Sequence, residues 1–130
     1  MHFEIVYVTG LSGFIGKNLL PHLLKKFPKV INFRRGNVHE IYLKDGTFKT
    51  QEDKNFTQES GEKLFINIAA LYNSAPRTQK ELLDLYESNS ALPINIIENY
   101  IGSDNLKIIQ LGSYFQLLDL DYQTPYSLTK

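Results

Sequence analysis

Short apolar runs alternate along the chain with longer segments of mixed polarity, and this order predicts an α/β domain. Runs rich in β-branched and aromatic residues are typical of strands, and they lie at Phe3–Val8, Val30–Phe33, Leu64–Ala69 and Leu106–Leu111. Apolar residues at helical spacing predict helices at Gly13–Phe27 and Thr78–Asn99, and Thr124-Pro125 marks a further helix start. Because strands and helices alternate, we expect a parallel sheet that is covered by helices on both faces.

Prolines and one polar stretch interrupt this regular pattern. Pro21 lies inside the first predicted helix, where we expect a bend or an early end, and Pro93 predicts that the second is either kinked or two helices. Between the second and third predicted strands, Glu40–Leu43 allows a further strand and Asp45-Gly46 a hairpin turn. The stretch Lys49–Glu62 is polar enough to predict a surface loop with at most a short helix.

The composition narrows the class of protein further. The chain has 130 residues, 14 Lys+Arg against 14 Asp+Glu and no cysteine. It therefore predicts one soluble domain and excludes a disulfide scaffold, cysteine-ligated zinc and thiol chemistry. A formal charge of zero argues against a nucleic-acid-binding surface, and no apolar stretch is long enough to cross a membrane. Glu4 interrupts the only N-terminal apolar run, so we expect no signal peptide and a cytoplasmic location. The histidines are scattered, and we predict no metal site from His2, His22 and His39.

Three glycines join the first predicted strand to the first predicted helix. Gly10, Gly13 and Gly16 follow the pattern G-x-x-G-x-x-G, which is typical of a loop that binds a dinucleotide pyrophosphate. Glycine suits such a loop because a side chain would keep the backbone away from the phosphates. A tight turn with a packing glycine is the alternative. A mononucleotide P-loop is excluded, because Leu11 and Asn18 stand where that motif needs Gly and Ser or Thr.

Two arginines follow the second predicted strand, where dinucleotide-binding domains for NAD usually place a carboxylate that binds the adenosine ribose. Arg34 and Arg35 occupy this place, and no carboxylate is there. Guanidinium groups can hold a 2′-phosphate in bidentate fashion. We therefore predict that NADP is favoured over NAD, with an ordinary solvated arginine pair as the alternative.

A Ser, a Tyr and a Lys form a second pattern. Tyr126 and Lys130 are four residues apart, which places both side chains on one face of a helix. Ser113 follows the predicted strand Leu106–Leu111, and doubly wound folds place their chemistry at such strand ends. Together with the glycine loop, this set resembles the N-terminal half of an extended short-chain dehydrogenase/reductase of the epimerase/dehydratase type.

The resemblance covers the whole chain except Val38–Lys63 and rests on specific residues. The segment Thr9–Gly16 is similar to that family's Thr-Gly-x-x-Gly-Phe-Ile-Gly. Asn67-Ile68-Ala69-Ala70 is similar to its His-Leu-Ala-Ala, with Asn in place of His, and Asn89 matches a common Asn of the next helix. The resemblance implies a Rossmann-like doubly wound parallel sheet, of which the chain would hold the N-terminal part. The expected domain is an NAD(P)-binding one over residues 1–130 that stops after Tyr-x-x-x-Lys.

The resemblance also implies a role for each of these residues in a hydride transfer on a nucleotide sugar. Tyr126 would exchange a proton with the substrate hydroxyl or carbonyl. Lys130 would make Tyr126 more acidic and bind the nicotinamide ribose, and Ser113 would bind the reacting oxygen. Asn89 would position the backbone. The residues whose backbone would contact the cofactor are Gly10, Gly13, Phe14, Ile15, Gly16 and Ala69.

Departures from the family pattern bear on the reaction. Tyr114-Phe115 stand where the family's dehydratases have Asp-Glu, which predicts that 4,6-dehydration is not the reaction, and Leu111–Gln116 resembles reductases that make deoxy sugars. Because Tyr126 and Lys130 fall within the last five residues, their helix has barely one turn. We therefore expect the isolated chain to be inactive, and a non-catalytic dinucleotide-binding domain is the alternative. A full-length enzyme of this kind would form homodimers through helices that flank the sheet.

Overall fold

Six strands and two helical regions follow one another in residues 3–34, 38–52, 61–69 and 77–111, which are the parts of the chain that this computed structural model describes. The first half contains β1 (Ile5–Thr9), α1 (Phe14–Lys26), β2 (Lys29–Phe33), β3 (Val38–Leu43) and β4 (Phe48–Glu52). The second half contains β5 (Lys63–Asn67), α2 (Gln79–Tyr86), α3 (Leu92–Ile96) and β6 (Leu106–Gln110), with π-helical turns at Glu87–Ala91 and Ile97–Ile101. None of the helices in these ranges is long and apolar enough to cross a bilayer.

The strands form one sheet in the order β4-β3-β2-β1-β5-β6. β2, β1, β5 and β6 run parallel, and their registers pair Ile5 with Lys29 and Lys63, and Lys63 with Leu106. The carboxyl ends of these four strands therefore lie along the same edge of the sheet. This half of the sheet confirms the α/β class that the order of elements predicts and the Rossmann-like fold that the family resemblance implies.

The other edge of the sheet is antiparallel. β3 pairs with β2 and β4 pairs with β3, both in the antiparallel sense. The prediction of a surface loop from Lys49 is therefore wrong for Lys49–Glu52, which belong to β4. The apolar pattern misses this strand because its residues are largely exposed and bury no alternating face.

A tight turn sets the register of β3 against β4, as the sequence predicts for Asp45-Gly46. Gly46 has a φ of +92°, and the Leu43 N–H donates to the carbonyl of Thr47 at 2.9 Å. The Thr47 N–H donates to Asp45 Oδ1 at 2.8 Å. Hydrogen bonds from Thr47 hold the pKa of the Asp45 carboxyl below its usual range.

Two apolar clusters form the core, one on each face of the sheet. On one face, Val6 and Val8 pack with α1 through Leu23. On the other face, Tyr7 and its neighbours pack with the second helical region through Ile96 and Ile101. Alternate residues of β1 thus enter different clusters, which explains why its sequence is apolar without interruption. The cover of helices on both faces is as predicted.

The two prolines have different effects on their helices. α1 runs through Pro21 to Lys26, so the expected early end at Pro21 is wrong. Pro21 lacks one backbone N–H donor on the exposed side of α1, and the helix continues beyond it with Leu23 buried in the core. In the second region the helix changes register just before Pro93, because the Leu92 N–H bonds to the Glu87 carbonyl five residues back.

Candidate functional site

Two of the three loop glycines are required by the packing of the protein itself. Gly10 has a φ of +82°, and a Cβ there would lie 2.7 Å from the backbone nitrogen of Ala69. Gly16 is buried in α1, where a Cβ would overlap the carbonyl oxygen of Gly10 and the backbone of Leu11. Gly10 therefore lets the loop lie against the backbone that follows β5, and Gly16 lets α1 lie against the loop.

Gly13 is different, because nothing in the described fold needs a glycine at this position. Its φ is −81°, which any residue adopts. A Cβ there would meet the carbonyl oxygen of Gly10 at 3.6 Å, an ordinary van der Waals distance. Glycine at this position keeps open the space in front of α1, and a dinucleotide pyrophosphate needs that space.

The N-terminus of α1 faces this space without any side-chain cap. Within the described part of the chain no side chain accepts a hydrogen bond there, and the first turn has no acidic residue. The N–H groups of Phe14, Ile15 and Gly16 therefore have no acceptor within the helix, and they lie at the positive end of its dipole. The Phe14 side chain is 85% exposed and that of Ile15 is 49% exposed. This arrangement can bind an anion.

A polar network joins the carboxyl ends of three parallel strands next to the glycine loop, with Thr9 and Asn67 buried and Gln110 exposed. The Thr9 hydroxyl donates to Asn67 Oδ1 at 2.6 Å and accepts the N–H groups of Ile68 and Ala69, each at 3.1 Å. Asn67 Nδ2 donates to Gln110 Oε1 at 2.8 Å. We call Thr9, Asn67 and Gln110 the central network. It holds the backbone of Ala69 close to Gly10.

A second network lies at the end of β2 and includes a residue that the sequence analysis missed. Asn32 Nδ2 donates to Glu40 Oε1 at 2.7 Å, and the Leu11 N–H of the glycine loop points to Asn32 Oδ1 at 3.4 Å. Arg34 Nη1 lies 4.0 Å from Glu40 Oε2. We call Asn32, Arg34 and Glu40 the outer network.

Glu40 is a carboxylate beside the end of β2 that the sequence analysis did not place there. It comes from β3, whose antiparallel pairing places Glu40 opposite Asn32. The sequence does not show that Glu40 lies here, because its position depends on the antiparallel pairing of β3 with β2. This pairing lies outside the alternation of strands and helices. Tyr42 on the same strand points its hydroxyl to Glu40 Oε2 at 3.4 Å. Burial raises the pKa of Tyr42, and the Glu40 charge and hydrogen bond raise it further, while Arg34 opposes them.

Several predicted site residues lie outside the described residues: Arg35, Ser113, Tyr126 and Lys130. The same holds for Ala70 and for Tyr114-Phe115. The described strand β6 ends at Gln110, three residues before Ser113. Asn89 is 3% exposed within the π-helical turn Glu87–Ala91.

A parallel sheet with a glycine loop against an uncapped helix defines the class of dinucleotide-binding α/β domains. The model of the NAD dependent epimerase/dehydratase family matches residues 6–130. The chain belongs to that family.

Among curated proteins, the chain is 30% identical over 120 residues to a CDP-abequose synthase from Yersinia pseudotuberculosis. The matched part is 85% of this chain and 40% of that protein. The chain thus spans well under half the length of this relative. No solved structure matches the chain significantly.

Proposed function

We propose that the chain provides the cofactor-binding part of an NAD(P)-dependent enzyme that transfers a hydride at a carbonyl or hydroxyl carbon of a nucleotide sugar. The observation that carries this proposal is the open space at Gly13 in front of the uncapped α1. The fold itself does not need a glycine there, whereas a bound pyrophosphate does. Membership of the NAD dependent epimerase/dehydratase family supports the same cofactor class.

The geometry of the loop supports the following set of cofactor contacts. The N–H groups of Phe14 and Ile15 bind the pyrophosphate, and the backbone at Ala69 closes the other side of the loop. Arg34 binds the 2′-phosphate together with Arg35, so NADP is favoured over NAD. The bound nicotinamide supplies the hydride acceptor or donor.

Three residues of this chain carry the proton and the substrate contacts in the proposed reaction. Tyr126 holds or delivers the proton of the substrate oxygen, Lys130 favours the tyrosinate, and Ser113 donates a hydrogen bond to the same oxygen. The nucleotide-sugar substrate is supported by the similarity to a CDP-abequose synthase. Tyr114-Phe115 lack the acidic pair of the family's dehydratases, so we propose a reductase or epimerase type of reaction.

A non-catalytic dinucleotide-binding domain is the second candidate. It is favoured by the glycine loop and the uncapped α1, which would bind a dinucleotide without Ser113, Tyr126 or Lys130. The two candidates differ in turnover. We propose that the isolated chain binds NADP but does not oxidise NADPH with a nucleotide-linked ketosugar. Oxidation of NADPH by the isolated chain would show that this proposal of inactivity is wrong.

Substitution of the loop glycines tests cofactor binding. Gly13→Ala fits the described fold but fills the pyrophosphate space, so we expect about tenfold or greater weakening of NADP binding with an unchanged melting temperature. Gly16→Ala overlaps the loop backbone, and we expect it to lower the melting temperature. Lys25→Ala, in the last turn of α1, serves as the control. If Gly13→Ala binds NADP as the native chain does, the proposed site is wrong.

A further inference from the structure

Glu40 lies between the two elements that would hold the adenosine end of a dinucleotide. On one side, its Oε1 accepts from Asn32, and the amide oxygen of Asn32 faces the Leu11 N–H in the glycine loop at 3.4 Å. On the other side, its Oε2 is 4.0 Å from Arg34 Nη1. No sequence motif marks this residue, because it reaches the site from β3.

The charge of Glu40 is only weakly compensated within the described part of the chain. Asn32 and Tyr42 are neutral partners, and Arg34 is at the outer limit of an ion pair with 60% of its side chain exposed. The Glu40 side chain is 16% exposed, so water screens it less than a charge on the open surface. An anion that approaches the Arg34 guanidinium therefore also meets the negative field of Glu40.

We propose that Glu40 sets the selectivity between NAD and NADP by opposing the attraction of Arg34 for a 2′-phosphate. This inference rests on the proposed function and deepens it. A free 2′-hydroxyl carries no charge, and either a carboxylate or an amide oxygen at position 40 can accept a hydrogen bond from it, whereas a 2′-phosphate carries nearly two negative charges and is repelled only by the carboxylate. The preference for NADP is consequently smaller than Arg34 alone would produce.

Glu40→Gln separates the charge of this side chain from its hydrogen bond. The amide oxygen of Gln still accepts from Asn32, while the negative charge is lost. We expect NADP to bind about fivefold more tightly, because the substitution removes one negative charge close to the bound 2′-phosphate. We expect NAD binding to stay unchanged. The measurement is the titration of the 130-residue chain with NADP and with NAD, each followed by calorimetry.

Two further variants make the result specific. Glu40→Leu removes both charge and acceptor, which frees Asn32 from its position beside Leu11, and we expect it to weaken NAD binding. Glu98→Gln removes an exposed charge from the helical turn Ile97–Ile101 and is expected to change neither affinity.

The possible outcomes distinguish a failure of the selectivity role of Glu40 from a failure of the proposed function. If Glu40→Gln leaves the ratio of the two affinities unchanged, or weakens NADP binding, the selectivity role is overturned while cofactor binding stands. If the native chain binds neither dinucleotide, the proposed function fails, and the role of Glu40 fails with it.

Discussion

The central network and the outer network lie at the same edge of the sheet but are built differently. In the central network, Thr9 is fully buried and Asn67 is 1% exposed, and the side-chain hydrogen bonds measure 2.6 and 2.8 Å. All its members are neutral. In the outer network, Asn32 is buried but Arg34 is mostly exposed, and the contacts extend to 3.4 and 4.0 Å.

This difference separates a group that holds the fold from a group that is open to a ligand. The short bonds of the central network join strands that are far apart in sequence, with Thr9 and Asn67 separated by 58 residues, and leave little capacity for another partner. In the outer network, Arg34 and Glu40 keep hydrogen-bond donors and acceptors that solvent or a ligand can reach. The comparison predicts that the central network matters most for stability and the outer network for binding.

The largest expected effect is on stability, from Asn67→Leu. Leucine removes the acceptor of the Thr9 hydroxyl and the donor to Gln110 in a buried place. We expect a loss of about 2–4 kcal/mol in the free energy of unfolding, since buried polar groups are left unpaired. Urea denaturation measures it, with the exposed Asn99→Leu as control. A loss as small as that of the control would show that the central network is not a structural element.

The same substitution in the outer network, Asn32→Leu, is expected to act mainly on binding. Glu40 is partly exposed and can be solvated once Asn32 is gone, so we expect only about 1 kcal/mol of lost stability. The link to Leu11 is lost as well, and we expect NAD and NADP to bind more weakly alike. Denaturation and cofactor titration together measure this. A stability loss equal to that of Asn67→Leu would remove the distinction between the two networks.

The regular half of this molecule is readable from the sequence for a physical reason. β1, β2 and β5 are covered on both faces, so each contains consecutive apolar residues: Ile5–Val8, Val30-Ile31 and Leu64–Ile66. The three-residue steps of Gly10, Gly13 and Gly16 predict the loop between β1 and α1. The same pattern cannot tell which glycine serves the fold and which leaves space for a ligand, because that depends on how closely Ala69 and Leu11 approach.

The antiparallel edge is where sequence reasoning fails. Phe48–Glu52 are held in the sheet by backbone pairing with β3, while their exposed side chains show no burial pattern. Glu40 reaches Asn32 only through the register of the β2–β3 pair. A carboxylate that comes from a neighbouring strand leaves no local motif, so the outer network could be found only in three dimensions.

The smallest expected effect is on the ionisation of Tyr42, whose pKa is raised first by burial and then by the charge and hydrogen bond of Glu40. Folding raises the pKa of Tyr42 above 10.0, so the folded state keeps this proton to higher pH than the unfolded chain does. The corresponding stability is complete below pH 10 and is lost as the pH rises through the raised value. Because Glu40 supplies part of the shift, we expect Glu40→Gln to move the pKa of Tyr42 down toward its ordinary value.

Tyrosinate absorbance during an alkaline titration measures this pKa, and subtraction of the Tyr42→Phe titration isolates the signal of Tyr42. An unchanged midpoint would mean that the charge of Glu40 has no measurable electrostatic effect on Tyr42. The contrast between a neutral central network and a charged outer network would then no longer hold.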